Sequence, residues 1–309
     1  MAKVHAHHHH PSPNTFTTAT LNVKSNPEMS QKKVNHDVRK ASHTADLIGW
    51  NEISPKRYFA AIKALGPKWG HYMPHDGHLR IPNPISWKKS VWKEESSGFV
   101  KTHGGKAKVS PNRYITWVKL KNRATGKEVV RMNTHLVSGA WSHHDGTTAW
   151  RRKMWNTHMR KLDHLVKHFE KQGLDVVVGG DFNRDSYHVL GKDVAYDNKL
   201  NVGTHGHSTY DYLMHARSND LHLMGAHVNR GFASDHDEVV ATYSLSGHAK
   251  PKAHAAPKHA AAHPAAKPSH PAHAATANPV QAASSSDSVT QSFTTFFTQL
   301  FQTLFGGEG

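Results

Sequence analysis

Six short stretches of this chain share one habit: each runs apolar and then stops on an Asn, a carboxylate or a His. They are LNV around Asn22, WNEI around Glu52, MNTHL around His135, GGDFN around Asp181 and Asn183, TYDYLM around Asp211, and ASDHD around Asp235 and His236. A single Asp after an apolar run is most often a turn former. Recurrence at six such points indicates a site, because ligands of α/β folds gather at strand ends. The donors are oxygens and imidazoles, and the chain has no Cys. That excludes thiolate zinc sites, a Cys nucleophile and disulfides. It suits Mg²⁺, which takes one or two carboxylates together with water and substrate phosphate oxygens. Such a cation polarises a phosphoryl oxygen and stabilises a leaving oxyanion. A separate Asp can orient or deprotonate water, and a His held by an Asp can manage protons or face the charge developing on phosphorus. The chemistry is that of metal-assisted phosphoester hydrolysis. A His-ligated zinc hydrolase and a Ser hydrolase are weaker readings, since neither HExxH nor GxSxG occurs.

The elements that must position these residues follow from periodicity. Phe16–Val23 is β-rich, Gln31–Thr44 has helical spacing, and Leu47–Ile53 reads as a buried strand ending in polar residues. Pro55–Leu65 is expected to be a helix with Pro near its start. Residues 84–121 read as several shorter strands ending in Tyr114–Leu120, and Ala124-Thr125-Gly126-Lys127 turns that strand into Val129–His135 as a hairpin. Thr148–Lys171 is the longest helix, with Trp155, Met159, Leu162, Leu165, Val166 and Phe169 on its buried face. Leu174–Gly179, Tyr210–Met214 and Val239–Tyr243 are further strands. Many hairpins, two helical excursions and no clean βαβ alternation argue for a layered α/β sandwich.

The rest of the chain sets limits. In 309 residues, 39 Lys and Arg against 23 Asp and Glu leave a net charge of +16, which points to a polyanionic partner. Residues 1–13 are His- and Pro-rich without an apolar core, so they are not a standard secretion signal, and a cytoplasmic location is the default expectation. No apolar run is long enough for a transmembrane helix. Residues 246–288, built from Ala, His, Pro and Lys, read as a disordered linker. Beyond it, residues 289–305 carry an uncharged Phe/Leu stripe at helical spacing, expected to dock on a protein partner or to self-associate. The catalytic domain is thus expected at 14–245.

The ordered series LNV, WNEI, NTHL, GGDFN, YDYLM and SDH resembles the endonuclease/exonuclease/phosphatase superfamily over about residues 14–245. The resemblance implies a DNase I-like four-layered α/β sandwich, two packed mixed sheets flanked by helices. It implies Mg²⁺, with Mn²⁺ as a substitute, held by Glu52 with Asn22 beside it and Asp235 helping. It further implies that Asp181 aligns or activates water, that Asn183 contacts the scissile phosphate, that His236 is the catalytic His paired with Asp211, and that His135 is the second His, an acid or phosphate ligand. Two departures stand out. Asn51 replaces the usual Gln before the metal Glu, and Tyr210-Asp211-Tyr212 stands where inositol phosphatases commonly show Cys-Asp-Arg. A nuclease is the leading expectation. A phosphatase or lipid phosphodiesterase of the same fold is the alternative, and a non-catalytic nucleic-acid-binding protein the second. Lys88, Lys89 and Trp92, with Arg151 and Arg152, interleave charge and aromatics and are expected to hold nucleic-acid phosphates and bases.

Overall fold

In β1 (Thr15–Asn22) alternate side chains take different partners, as a strand with both faces covered requires. Ala19 and Leu21 pack with helix residues, while Phe16 and Thr18 face a second sheet. The structure is a computed structural model describing residues 14–245, apart from Ser25, Pro27, Pro55, His143, 186–189, 191–193, 199–200 and 218–219. The expected N-terminal segment 1–13, linker 246–288 and terminal helix 289–305 lie outside the described residues.

After β1 come α1 (Gln31–Thr44), β2 (Leu47–Asn51), α2 (Lys56–Lys63), β3 (Trp69–Tyr72) and a small hairpin of β4 (His75–Asp76) and β5 (Leu79–Arg80). Then follow β6 (Ile85–Lys88), β7 (Trp92–His103), β8 (Arg113–Asn122) and β9 (Glu128–His135). The chain continues through α3 (Thr148–Glu170), β10 (Asp175–Asp181), β11 (Val194–Tyr196), β12 (Asp211–Ala216), β13 (His222–Asn229) and β14 (Glu238–Ser244). One six-stranded sheet has the order β13-β14-β1-β2-β6-β3, the other β11-β12-β10-β9-β8-β7. Both are mixed: β1 and β2 run parallel, as do β9 and β10, among antiparallel neighbours.

Two cores divide the layers. Val34, Val38, Tyr58, Phe59 and Ile62 of α1 and α2 pack on Ile48 and Trp50, covering the outside of the first sheet. Phe16, Leu47, Trp87, Trp92, Val129, Val177, Leu213 and Tyr243 fill the space between the sheets. Trp117 of β8 packs edge-on to Phe169 of α3, which covers the second sheet. The four-layered sandwich expected from the sequence is therefore present. The hairpin at 124–127 closes through Asn122, whose side-chain oxygen accepts from the backbone N–H groups of Ala124 and Thr125.

Four strand regions were not legible in the sequence: β3, the β4–β5 hairpin, β11 and β13. β13 is an edge strand with most of its side chains exposed, so it lacks the apolar alternation that marks a half-buried strand. The others have two to four residues, too few to carry a period. No helix among the described residues is long and apolar enough to cross a membrane.

Candidate active site

Alternation and register together explain how six distant stretches converge. On β10, Val177 faces the other sheet, and so therefore does Asp181 at the strand's end. Asp181 is paired in register with His135 on β9 and with Asp211 on β12, so these three form one row across the second sheet. On the first sheet, Asn22 and Asn51 are paired in register at the ends of β1 and β2. The two rows face each other at one end of the sandwich. Buried groups below hold the sheets together. Arg131 of β9 donates to the Thr18 hydroxyl at 3.1 Å and the Ala19 carbonyl at 3.0 Å, and Asn133 donates to the Trp50 carbonyl at 2.7 Å. Gly179 must be glycine here: a Cβ would lie 2.5 Å from the Arg131 guanidinium.

Alternation alone would send Glu52 to the helix side with Ile48 and Trp50. Its φ of 63° ends the strand in the left-handed region, and its carboxylate instead accepts from Asn22 Nδ2 at 3.2 Å. Asn183, with φ 51°, makes a similar turn after β10 and donates through its backbone N–H to Asp181 at 2.8 Å. Non-glycine residues in this region cost about 1–3 kcal/mol each and collect at functional sites.

Asn22 Nδ2 also donates to Asp181 Oδ2 at 3.0 Å, bridging the two carboxylates. His135 Nε2 lies 3.4 Å from Asp181 Oδ2 and 4.0 Å from Glu52 Oε1. His236 Nδ1 is 2.7 Å from Asp211 Oδ2, and its Nε2 is 4.0 Å from Asp181 Oδ2. With its amide oriented to satisfy both neighbours, Asn51 donates to the Thr134 carbonyl at 3.0 Å and accepts from the Asp181 N–H at 3.1 Å. The shorter side chain at this departure from the expected Gln thus ties β2 to β9 and β10.

The electrostatics follow from burial at the meeting of charges. Burial and the neighbouring Asp211 charge push the Asp181 carboxyl up to about 7, against His236 and the two donors, which lower it. Burial lowers the His236 imidazole, but the Asp211 charge and hydrogen bond, with Asp181 and Asp235, outweigh it and raise the group to about 10. His135 goes the other way: burial, then Arg113 and His236, hold it well below the ordinary value, so it is neutral. Burial lowers Arg113 to about 10 against the pull of Asp181 and Glu52, leaving it charged within their electrostatic reach.

The sequence reading of the cluster missed several residues that build it. Asp37, fully buried in α1, accepts from the N–H groups of Ala233 and Ser234 at 2.8 and 2.9 Å. Ser234 Oγ donates to the Asn22 carbonyl at 2.7 Å and accepts from the His236 N–H at 3.2 Å. The loop bearing His236 is thereby pinned to β1 and α1. Nothing local marks Asp37; the only clue was an Asp on the buried face of a helix. His205 also joins the site, its ring 4.6 Å from that of His236 and stacked on Tyr210 at 5.5 Å.

The remaining expected residues divide between the site and the rest of the fold. Asp235 pairs with Lys24 at 3.1 Å and lies 3.7 Å from His205, and with His205 and His236 it forms a group whose donor atoms are close enough together to hold a metal ion. Trp92 is fully buried between the sheets and packs edge-on to Phe16, which leaves no face for a base. Lys88 and Lys89 follow Trp87, which pairs with Leu47 at the start of β2, the end of the strand opposite Glu52. Lys88 is paired there with Asp46 at 3.0 Å. The alternation of Lys and Trp in this stretch reflects a strand with one face in the core. Arg151 is buried, donating to the Ser138 carbonyl at 2.7 Å and the Thr147 hydroxyl at 2.8 Å; it braces the loop after His135. Arg152 is exposed.

Two facing six-stranded mixed sheets with helices outside, and Asn, carboxylate and His groups at one end, invite comparison with solved structures. A Bacteroides vulgatus endonuclease/exonuclease/phosphatase protein superimposes with a TM-score of 0.60 at 18% identity, covering 75% of this chain and 99% of that one. This is the endonuclease/exonuclease/phosphatase fold. A mannosyl-6-phosphatase of Bacteroides thetaiotaomicron shares it at a TM-score of 0.60 and 15% identity, covering 74% of this chain and 99% of that one. So does Danio rerio TDP2, complexed with a single-strand DNA product, at a TM-score of 0.56 and 14% identity over 74% of this chain and 99% of that one. No protein-family model and no curated protein matches the sequence. At these identities the endonuclease/exonuclease/phosphatase likeness is one of fold, and the chemistry has to be argued from the site.

Proposed function

We propose that this protein is a divalent-metal-dependent phosphoester hydrolase acting on nucleic-acid phosphodiester bonds. One observation carries the reading: His135, Asp181 and Asp211 stand in register on one sheet, facing Asn22 and Glu52 on the other. The donor set fits a hard cation. Glu52 and Asp181 are carboxylates brought together at the Asn22 amide and the His135 imidazole, and Asp181 is held up at about 7 by burial and Asp211. Glu52 and Asn22 are the residues to hold Mg²⁺, or Mn²⁺ in its place. The bound cation supplies polarisation of a phosphoryl oxygen and charge to offset the leaving oxyanion.

The chain's own residues do the rest. Asp181, with a carboxyl near neutrality, takes a proton from the water whose oxygen attacks phosphorus. His236, kept charged by Asp211, donates to a phosphoryl oxygen as charge builds there. Asn183 Nδ2 gives one hydrogen to the Leu136 carbonyl at 3.2 Å and keeps its second for the phosphate, and neutral His135 hydrogen-bonds without adding charge. Attack forms the new P–O bond, the P–O bond to the leaving group breaks, and the leaving oxygen is protonated by solvent, to which Asp181 returns the proton it took.

The +16 charge, with Arg113 charged within electrostatic reach of Asp181 and Glu52, favours a polyanionic strand over a small sugar phosphate with one phosphate group. TDP2 bound to single-strand DNA supports that choice; the mannosyl-6-phosphatase supports the small-phosphoester alternative. Nicking of supercoiled plasmid and cleavage of linear and single-stranded DNA and RNA, with Mg²⁺ and with EDTA, test it beside a phosphate-release panel. Cleavage that needs the metal and falls at least ~10²-fold in Glu52→Gln is expected. Phosphate release from small esters with intact polynucleotides would move the assignment to a phosphatase.

A further inference from the structure

Trp141 before α3, the first half of α3 and the residues after β10 bring two cations and two indoles together beside Asn183. The guanidinium of Arg184, the residue after Asn183, lies 4.0 Å from the Trp141 ring centroid and 5.1 Å from that of Trp155. Arg152 lies over Trp141 at 5.2 Å and is fixed by donating from Nε to the Ala140 carbonyl at 2.9 Å. Trp141 meets Trp155 edge-on at 5.7 Å, and Trp155 Nε1 donates to the Phe182 carbonyl at 2.9 Å. The Arg184 backbone is tied down as well, its carbonyl accepting from the Tyr212 hydroxyl at 2.7 Å. The cluster is therefore anchored to the same segment, 182–184, that carries Asn183.

Among the described residues no carboxylate pairs with either Arg. A guanidinium resting on an aromatic face keeps its in-plane N–H groups free, and their fork matches two phosphate oxygens. Stacking also removes rotamer freedom before a ligand arrives, which lowers the entropy lost on binding. An unpaired, pre-oriented pair of cations one residue from the proposed phosphate contact is more than a solvated face requires.

We propose that Arg184 and Arg152, oriented by Trp141, form a subsite for a backbone phosphate of a nucleic-acid strand, next to the scissile one. The location of the scissile phosphate rests on the hydrolase reading above; the binding of a strand does not. A small phosphoester held at Asn183 has no second phosphate to reach this cluster, so the subsite selects for polymer length.

The test uses the full chain and a fluorescein-labelled 12-nucleotide single-stranded DNA. Anisotropy in EDTA is measured over a range of salt concentrations, which reads binding without turnover. Each phosphate contact on a single strand contributes about 0.7 to the slope of log affinity against log salt. The Arg152→Gln and Arg184→Gln double variant is expected to lose about 1.4 from that slope, each single variant about half. With Mg²⁺, kcat/KM on the 12-mer is expected to fall about tenfold per Arg, while hydrolysis of bis(p-nitrophenyl) phosphate is unchanged. An unchanged slope in the double variant overturns the proposal, as do equal losses on both substrates. If no phosphoester is cleaved under any condition yet the slope still falls, the subsite stands and the hydrolase reading fails. Should Arg184→Gln not fold, the exposed Arg152→Gln carries the same test with a slope change of about 0.7.

Discussion

Replacing Asp181 with Asn separates the two demands this site makes on the fold. The residue is 1% exposed, and its carboxyl is pushed from 3.8 up to about 7 by burial and by Asp211. A raised carboxylate binds its proton more tightly in the folded state. It therefore costs nothing below pH 3.8, and the stability penalty grows as pH rises from there to about 7. Above that the penalty is complete. About three pH units at ~1.4 kcal/mol each give ~4 kcal/mol. Asn does not ionise, but its NH2 meets the Asn22 amide that now donates to Asp181 Oδ2 at 3.0 Å. Losing that bond offsets roughly 1–2 kcal/mol. Asp181→Asn is thus expected to be more stable than the wild type by about 2–3 kcal/mol at pH 8, and close to equal at pH 5. For a domain of this size that is a rise in Tm of about 4–12 °C at pH 8. Thermal melts in EDTA, followed by circular dichroism at the two pH values, measure it. Mg²⁺ should raise the wild-type Tm more than the variant's, because the wild type alone has the full carboxylate set to neutralise. Hydrolysis should fall ~10²–10⁴-fold. A variant less stable than the wild type at pH 8, or a gain that does not change with pH, would refute the electrostatic argument.

Two further outcomes follow from the supports of the site. His236 and Asp211, 2.7 Å apart, should act as one unit, so His236→Ala, Asp211→Ala and the double variant are expected to lose similar amounts of kcat; fully additive losses would show that they work separately. Asp37→Ala removes two charge-assisted bonds to the loop before His236 and should cost about 2–4 kcal/mol in denaturant melts. Its kcat should also fall although Asp37 is not among the residues placed at the phosphate; a full-rate, fully stable variant would mean the loop holds itself.

The chain's local pattern already contained the main elements and most of the site's residue types. Asn22, Glu52, His135, Asp181, Asn183, Asp211 and His236 could be singled out because each closes an apolar run, and a strand end is where a polar side chain escapes the core. The helices α1 and α3 were readable because fourteen and twenty-three residues sustain a 3.6-residue period. Short strands and the exposed edge strand β13 were not, since neither length nor burial imposes a pattern on them. Only the tertiary structure decided which polar residues meet. Register sets Asp181 between His135 and Asp211, and register is a property of pairs of strands. The left-handed turn at Glu52, which brings its carboxylate to Asn22, depends on the surroundings that hold it there. The Lys and Trp residues around 87–93 show the converse. Their local pattern suited nucleic acid, but the packing of two sheets placed Trp92 in the core and Lys88 at the far end of the sandwich, while Arg184 and Trp141, distant in sequence, came together beside the site.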